Sequence, residues 1–263
     1  MKRNLLILRA GDRSLHEKWL LGTRINFDLV VLYYGNKTDL PWSEQLIAIK
    51  GSKWEGLSQY LSTNQQWQAY DYIGLPDDDL LCTGDDWSDF FDIMRQERLQ
   101  LAQPSLQRGS YYSHKITLQI PFFKLRRTNF VEVMAPCMSR RFLEYALPDF
   151  SFSKSGWGMD IYWPQLLKEK FKGESPAIVD AVSVLHTRPV GSAGHGGANS
   201  PEADRERFLN SKGATAAETI IATTALTKSG RIVSGLPLQF LSKIALLCNK
   251  ILQKTPPQKA HPL

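Results

Sequence analysis

Cysteine is scarce. Cys82, Cys137 and Cys248 are the three in a chain of 263 residues, widely spaced, odd in number and without a CxxC pair. A disulfide framework is therefore not expected; reduced thiols in a cytoplasmic protein are. Long apolar runs are missing too. Behind Lys2 and Arg3 the amino terminus offers only Leu5-Leu6-Ile7-Leu8, too short for a signal peptide and suited to a first β-strand. No stretch reaches the length of a transmembrane helix. An excess of one charge is absent from most of the chain: residues 1–203 carry 23 basic and 23 acidic side chains. The net +6 belongs to residues 204–263, with nine Lys/Arg against three Asp/Glu. So balanced a body is not a basic nucleic-acid platform, and no nucleic-acid partner is expected. With 43% hydrophobic and 11% aromatic residues the chain is not disordered or fibrous but can bury a globular core.

The stretch Tyr70-Asp71-Tyr72-Ile73-Gly74-Leu75-Pro76-Asp77-Asp78-Asp79 is the most informative. An apolar, aromatic run reads as a buried strand and ends in three carboxylates. Such a triplet is either an acidic solvated turn or a site with a compensating cation. Asp77 and Asp79, two apart, can reach one divalent ion at the carboxyl end of a strand, where open α/β sheets place their ligands.

Around it the chain alternates. Leu5–Ala10 reads as a strand, Leu15–Leu21 as a helix and Phe27–Tyr34 as a second strand, which suggests a parallel βαβ unit. Lys50-Gly51-Ser52-Lys53 leads into a short helix and is either a phosphate-binding turn or a solvated helix start. Asp85 or Asp86 is expected to cap a helix burying Trp87, Phe90, Phe91 and Met94. Leu99–Leu106 reads as strand and turn, Ser110–Gln119 as irregular, Asn129–Pro136 as a strand and Ser139–Leu147 as its helix. Asp160, after Gly156-Trp157-Gly158-Met159, is either a plain helix cap or a general base for a bound hydroxyl. Ile178–Leu185 is a late strand. Asp180 and His186 share a parity on it, so both leave on one side. The Gly-rich segment Thr187–Gly197 is either a closing loop or a linker. Residues 213–230 are expected to be helical. Leu236–Lys254 reads as a basic amphipathic helix that packs on the body or a partner, or lies on an anionic membrane surface. Thr255–Leu263 is expected to be disordered.

Five pieces, in order, resemble a plant and bacterial domain family of unknown function, the one numbered seven hundred and seven. They are Lys50–Trp54, Leu75–Leu80, Leu101–Leu106, Thr128–Pro136 and Gly156–Asp160. That family in turn resembles GT-A glycosyltransferases, which use a nucleotide-sugar donor and a divalent metal. The resemblance implies an α/β, GT-A-like (Rossmann-like) mixed sheet flanked by helices over residues 1–203; the basic helical tail, 204–263, lies outside it and is read from the sequence alone. It implies a DXD motif at Asp77-Asp78-Asp79, an acidic base at Asp160 and a late metal-binding histidine at His186.

The function expected is metal-dependent transfer of a sugar from a nucleotide-sugar to a glycan or lipid-linked glycan, with inversion if Asp160 is the base; a retaining enzyme in which Asp160 only binds the acceptor stays open. Mn²⁺ or Mg²⁺ is expected on Asp79 and His186, with Asp77 on metal or ribose. Asp78, Trp157, Lys50, Lys53 and Arg9 are expected around the donor. The protein is expected to be cytoplasmic, with attachment to the inner face of a membrane left open by the tail. A silent sugar- or nucleotide-binding module is the alternative. A metal-dependent phosphohydrolase ranks lower, because its nucleophile belongs after the first strand, which here ends in Arg9-Ala10-Gly11.

Overall fold

The computed structural model describes residues 3–39, 45–189, 200–215 and 219–252. In chain order the elements are β1 (Asn4–Ala10), β2 (Phe27–Tyr33), β3 (Gln45–Ala48), α1 (Lys53–Thr63), β4 (Tyr72–Gly74), β5 (Leu80–Leu81) and α2 (Gly84–Gln96). Then come β6 (Leu101–Leu106), β7 (Phe123–Thr128), β8 (Cys137–Ser139), α3 (Arg140–Ala146), α4 (Met159–Lys170) and β9 (Ala177–His186). The chain continues through α5 (Pro201–Lys212), β10 (Ala222–Thr227), β11 (Ile232–Ser234) and α6 (Gly235–Leu252).

Every residue of β1 is buried, as befits a strand covered on both faces. Its alternation divides the core: Leu5 and Ile7 face the layer of α1, α3 and α4, while Leu6 and Leu8 face α2. Helix α1 starts at a capping box in which the Ser52 hydroxyl accepts the Glu55 N–H and the Glu55 carboxylate accepts the Ser52 N–H. Helix α2 starts the same way, but from Thr83, with Asp86 as its reciprocal partner. Asp85, one of the expected caps, instead accepts the N–H groups of Thr23 and Arg24. The stripe Trp87, Phe90, Phe91 and Met94 is fully buried, each side chain contributing roughly 1.5–3 kcal/mol.

One mixed sheet has the order β11-β10-β7-β9-β6-β8-β4-β1-β2-β3. β4, β1, β2 and β3 are parallel neighbours. β8 is antiparallel to β4 and β6, while β6 and β9 run parallel. From β1 the chain moves outward to β2 and β3, then returns to the other side of β1 as β4. That reversal opens a crevice at the carboxyl ends of β1 and β4, directly before the Asp triplet. The α/β class and the mixed sheet flanked by helices are as expected.

Several local expectations give way to tertiary contacts. Residues 129–136 form a loop between β7 and β8, because side chains take their backbone groups: the Glu132 N–H goes to Gln103 and the Phe130 carbonyl to the Thr128 hydroxyl. Leu15–Leu21 forms only a 3-10 turn at His16–Leu20. Within 213–230, β10 replaces the expected helix by pairing with β7 through β-branched and small residues. The boundary expected between 203 and 204 falls inside α5, and β10 and β11 continue the same sheet. Leu238 of α6 joins Ile120, Phe123 and Ala225 in a small core. Residues 190–199 of the Gly-rich segment, and 253–263, lie outside the described residues.

Candidate functional site

Strand β5 makes the site. It pairs antiparallel with the end of β9, Leu80 opposite His186, which brings the last acid of the triplet against the last residue of the late strand. Asp79 Oδ2 lies 3.2 Å from His186 Nε2. The Asp79 carbonyl also accepts the N–H and hydroxyl of Thr187. On the other side of the ring, Nδ1 is 2.8 Å from the Tyr111 carbonyl. A carbonyl only accepts, so Nδ1 carries hydrogen and Nε2 turns its lone pair, or a second proton, toward the carboxylate. Burial works against a charged ring, but the Asp79 carboxylate, the Tyr111 carbonyl and Asp77 together outweigh it, and the pKa of His186 rises above its ordinary value. Asp79 Oδ1 is buried without a hydrogen-bond partner. An orphaned carboxylate oxygen beside an oriented imidazole is a donor set that Mn²⁺ or Mg²⁺ fits. No group of three or more His, Cys, Asp or Glu with metal-holding geometry occurs among the described residues. Such an ion would thus depend on substrate oxygens or water for its remaining ligands.

The other two acids of the triplet point elsewhere. Asp78 fastens the crevice: its Oδ2 accepts the Gly11 N–H at 2.7 Å and its Oδ1 accepts Arg188 Nη1 at 3.0 Å. Asp77 pairs with Lys53 Nζ at 2.6 Å, and Lys53 also donates to the carbonyls of Val133 and Met134. Lys53 therefore ties the triplet to the 129–136 loop. Lys50 donates to the carbonyls of Tyr34 and Gly35 and to Asn36, closing the loop after β2. Arg9 is buried, donating to the carbonyls of Leu32, Ile49 and Gly51. These three cations, assigned to a donor from the sequence, each have protein partners here.

Asp160 stands in the first turn of α4 behind a loop that only glycine permits. Gly156 (φ +81°) would place a Cβ 2.0 Å from Trp54 Nε1, and Gly158 (φ +98°) would place one 2.9 Å from Phe208. Gly158, not Asp160, is the N-cap, and its N–H donates to Asp160 Oδ1 at 3.0 Å. Trp157 is half-buried on this loop. Burial raises the Asp160 pKa to about 6, against the backbone N–H groups of Gly158 and Ile161 and the charge of Arg205.

Glu132 is the site residue not picked out from the sequence. It is buried, with Oε2 unpartnered, and feels His186, Asp160 and Asp77 electrostatically. Burial first, then the acids Asp160 and Asp77, lift its pKa to about 7 in spite of His186 and the Ser113 hydroxyl. The available signal was an acid inside the apolar run Phe130-Val131-Glu132-Val133-Met134. Asp180, expected beside His186, instead pairs with Arg126 at 2.7 Å in the interior. Pairing between β6 and β9 shifts register between Pro104 and Ser105, which ends the shared parity of Asp180 and His186. A concavity of about 600 Å³ lies apart from the acids, between β3 and α1. Its described lining holds no carboxylate, histidine or cation, so it offers no comparable chemistry.

A family model described as "Protein of unknown function (DUF707)" matches residues 22–129. The resemblance carried by the sequence motifs is thereby shown over that span, which includes Asp77–Asp79 and ends before Glu132, Asp160 and His186. No curated protein matches the chain. Solved structures similar to it include "Crystal Structure of a Mycobacterial Protein", 13% identical with a TM-score of 0.49, over 89% of this chain and 83% of that one. Another is "Crystal Structure of A197 from STIV", 11% identical, TM-score 0.41, over 88% and 93%. A third is described as a "putative nucleotide-diphospho-sugar transferase from Desulfovibrio desulfuricans G20", 11% identical, TM-score 0.39, over 67% and 79%.

Proposed function

We propose that this chain, with its DUF707 segment, is a metal-dependent glycosyltransferase that moves a sugar from a nucleotide-sugar to a glycan acceptor. The observation that carries the reading is the Asp79–His186 pair, a carboxylate with an orphaned oxygen against an imidazole whose far nitrogen is already held. Asp79 and His186 would hold Mn²⁺ or Mg²⁺, which when bound neutralises charge on a diphosphate leaving group. Lys53 keeps Asp77 in place, and Asp78 keeps the β1 and β9 ends together around the crevice. Asp160, with a raised pKa, accepts the proton of the attacking acceptor hydroxyl, and direct displacement inverts the anomeric centre. Calorimetry with UDP, GDP and dTDP, with and without Mn²⁺, tests the reading on wild type and Asp79→Ala. Metal-dependent binding of one nucleotide, lost in the variant, is expected. Absence of binding by all three would overturn it, and binding without any transfer would leave a silent module.

For the tail we propose contact with an anionic membrane surface. Leu238 is buried in the body, while Leu236 and Phe240, four apart on the opposite face, are 79% and 65% exposed. Ile232 is exposed nearby and Lys243 continues that face. Residues 219–263 contain no Asp or Glu. Apolar anchors with basic neighbours suit an interfacial helix. The full chain should co-sediment with phosphatidylglycerol vesicles and not with phosphatidylcholine vesicles. Leu236→Glu with Phe240→Glu should release it; equal binding by that variant would exclude the contact.

A further inference from the structure

The roles assigned above leave one buried acid without a task. Glu132 is 7% exposed, and its Oε2 has no hydrogen-bond partner. Neither its backbone nor its position is loose: its N–H donates to Gln103 Oε1 at 2.6 Å, and Gln103 is itself fully buried on β6. Val133 and Met134, the next two residues, are clamped through their carbonyls by Lys53. The segment that supplies the Tyr111 carbonyl to His186 also supplies the Ser113 hydroxyl to Glu132. One loop therefore orients both side chains. Buried polar atoms are normally partnered, so a fixed carboxyl with an open oxygen points to a group that arrives with a ligand.

Its surroundings narrow what that group is. Glu132 interacts electrostatically with His186, at the proposed metal end, and with Asp160, at the proposed base end. A sugar moving from a diphosphate to an acceptor hydroxyl has to lie between those two ends. Carboxyl oxygens accept hydrogen bonds from hydroxyl groups, and buried ones discriminate strongly against a ligand lacking the matching donor. The charges add a second restriction. Asp77, Asp79, Glu132 and Asp160 are linked electrostatically, Glu132 to both Asp77 and Asp160 and Asp77 to Asp79, while Lys53 is paired with Asp77 and His186 with Asp79. A further carboxylate on the sugar would add to these four acids, whereas the cations described there are already engaged, Lys53 by Asp77, His186 by Asp79 and Arg205 by Asp160.

We propose that Glu132 recognises the transferred sugar by accepting a hydrogen bond from one of its hydroxyl groups, and that this sugar is uncharged. The inference rests on the glycosyltransferase reading and assigns it a sugar class. Glu132 is a substrate-binding residue in this scheme, distinct from the metal-holding pair and from the base.

The test measures Mn²⁺-dependent binding by calorimetry for UDP, GDP and dTDP and for matched nucleotide-sugars, among them UDP-glucose, UDP-galactose, GDP-mannose, dTDP-glucose and UDP-glucuronate. Wild type is compared with Glu132→Gln, Glu132→Ala and Asp79→Ala, with thermal melts to follow folding. Glu132→Gln keeps the shape of the side chain, so it carries the test where Glu132→Ala does not fold. Wild type should bind a neutral nucleotide-sugar more tightly than its nucleotide, and the glucuronate should gain nothing over UDP. In the Glu132 variants nucleotide affinity should stay within about twofold, while affinity for the neutral nucleotide-sugar falls by about tenfold or more. Asp79→Ala should lose both. An equal loss for nucleotide and nucleotide-sugar in the Glu132 variants would overturn the assignment in favour of a structural or metal-holding role. So would an unchanged sugar gain, or a preference for the glucuronate. If wild type binds no nucleotide with Mn²⁺, the glycosyltransferase reading itself falls and takes this inference with it; intact nucleotide binding separates the two failures.

Discussion

Asp160, the proposed base, can take a proton only with its own off. Its pKa of about 6 is set by burial, opposed by the Gly158 and Ile161 amides on α4 and by Arg205 on α5, with Glu132 adding its field from the 129–136 loop. Transfer, measured as kcat/KM, should fall as pH drops through about 6. The same shift has a stability sign. A carboxyl whose folded pKa lies above its ordinary value favours folding while protonated, and stability is lost as pH rises from about 4 to about 6. Asp160→Asn should therefore abolish transfer and, at pH 7, raise stability by on the order of 1 kcal/mol after allowance for its partial exposure. Turnover at the wild-type rate in this variant, followed by product formation, would remove Asp160 from the mechanism. A lower melting temperature would remove the burial argument.

The loop that presents Asp160 is held from a distant part of the chain. Asp204, in the first turn of α5, accepts the Ser153 hydroxyl at 2.7 Å and both the N–H and hydroxyl of Ser155. Gly156 then turns the loop against Trp54, which itself packs on Phe150 and Trp163, and Gly158 turns it against Phe208 of α5. Replacing Asp204 with Ala leaves those hydroxyls and the amide without their charged acceptor, a loss of about 2–4 kcal/mol for bonds to a buried carboxylate. Denaturant melts should register that loss, and transfer by Asp204→Ala should fall although the residue touches no substrate. A melt indistinguishable from wild type would show that α4 positions the loop unaided.

At the scale of the molecule, the sheet makes the described segments β10, β11 and the start of α6 part of the body. β10 pairs along β7, β11 pairs with β10, and Leu238 closes a small core over Phe123. A fragment ending at residue 203 loses the neighbour of β7, most of α5 and the Asp204 clamp together. Calorimetry should show no cooperative unfolding transition for that fragment, whereas the full chain melts cooperatively. A sharp transition for both would restore a body that folds without its tail.

Much was legible because it depends on local pattern. The apolar runs of β1, β2 and β9, the stripe of α2 and the turn of acids after β4 follow from hydrophobic period and composition, and they fix an α/β chain with acids near strand ends. The motifs also marked Asp79, Asp160 and His186 without any distance between them. What the sequence could not decide was partnership. The pairing of β5 with β9 brings Asp79 to His186 across more than a hundred residues, and no periodicity encodes which strand end meets which. Nor could it separate the members of the triplet: Lys53 takes Asp77 and Gly11 with Arg188 takes Asp78, leaving Asp79 with the open oxygen. The register shift in β9 sends Asp180 to Arg126 although parity put it beside His186. Glu132 is the clearest case. Its sequence neighbours make it an interruption in an apolar run, and only the folded chain, by burying it among three other site residues, gives that acid its chemistry.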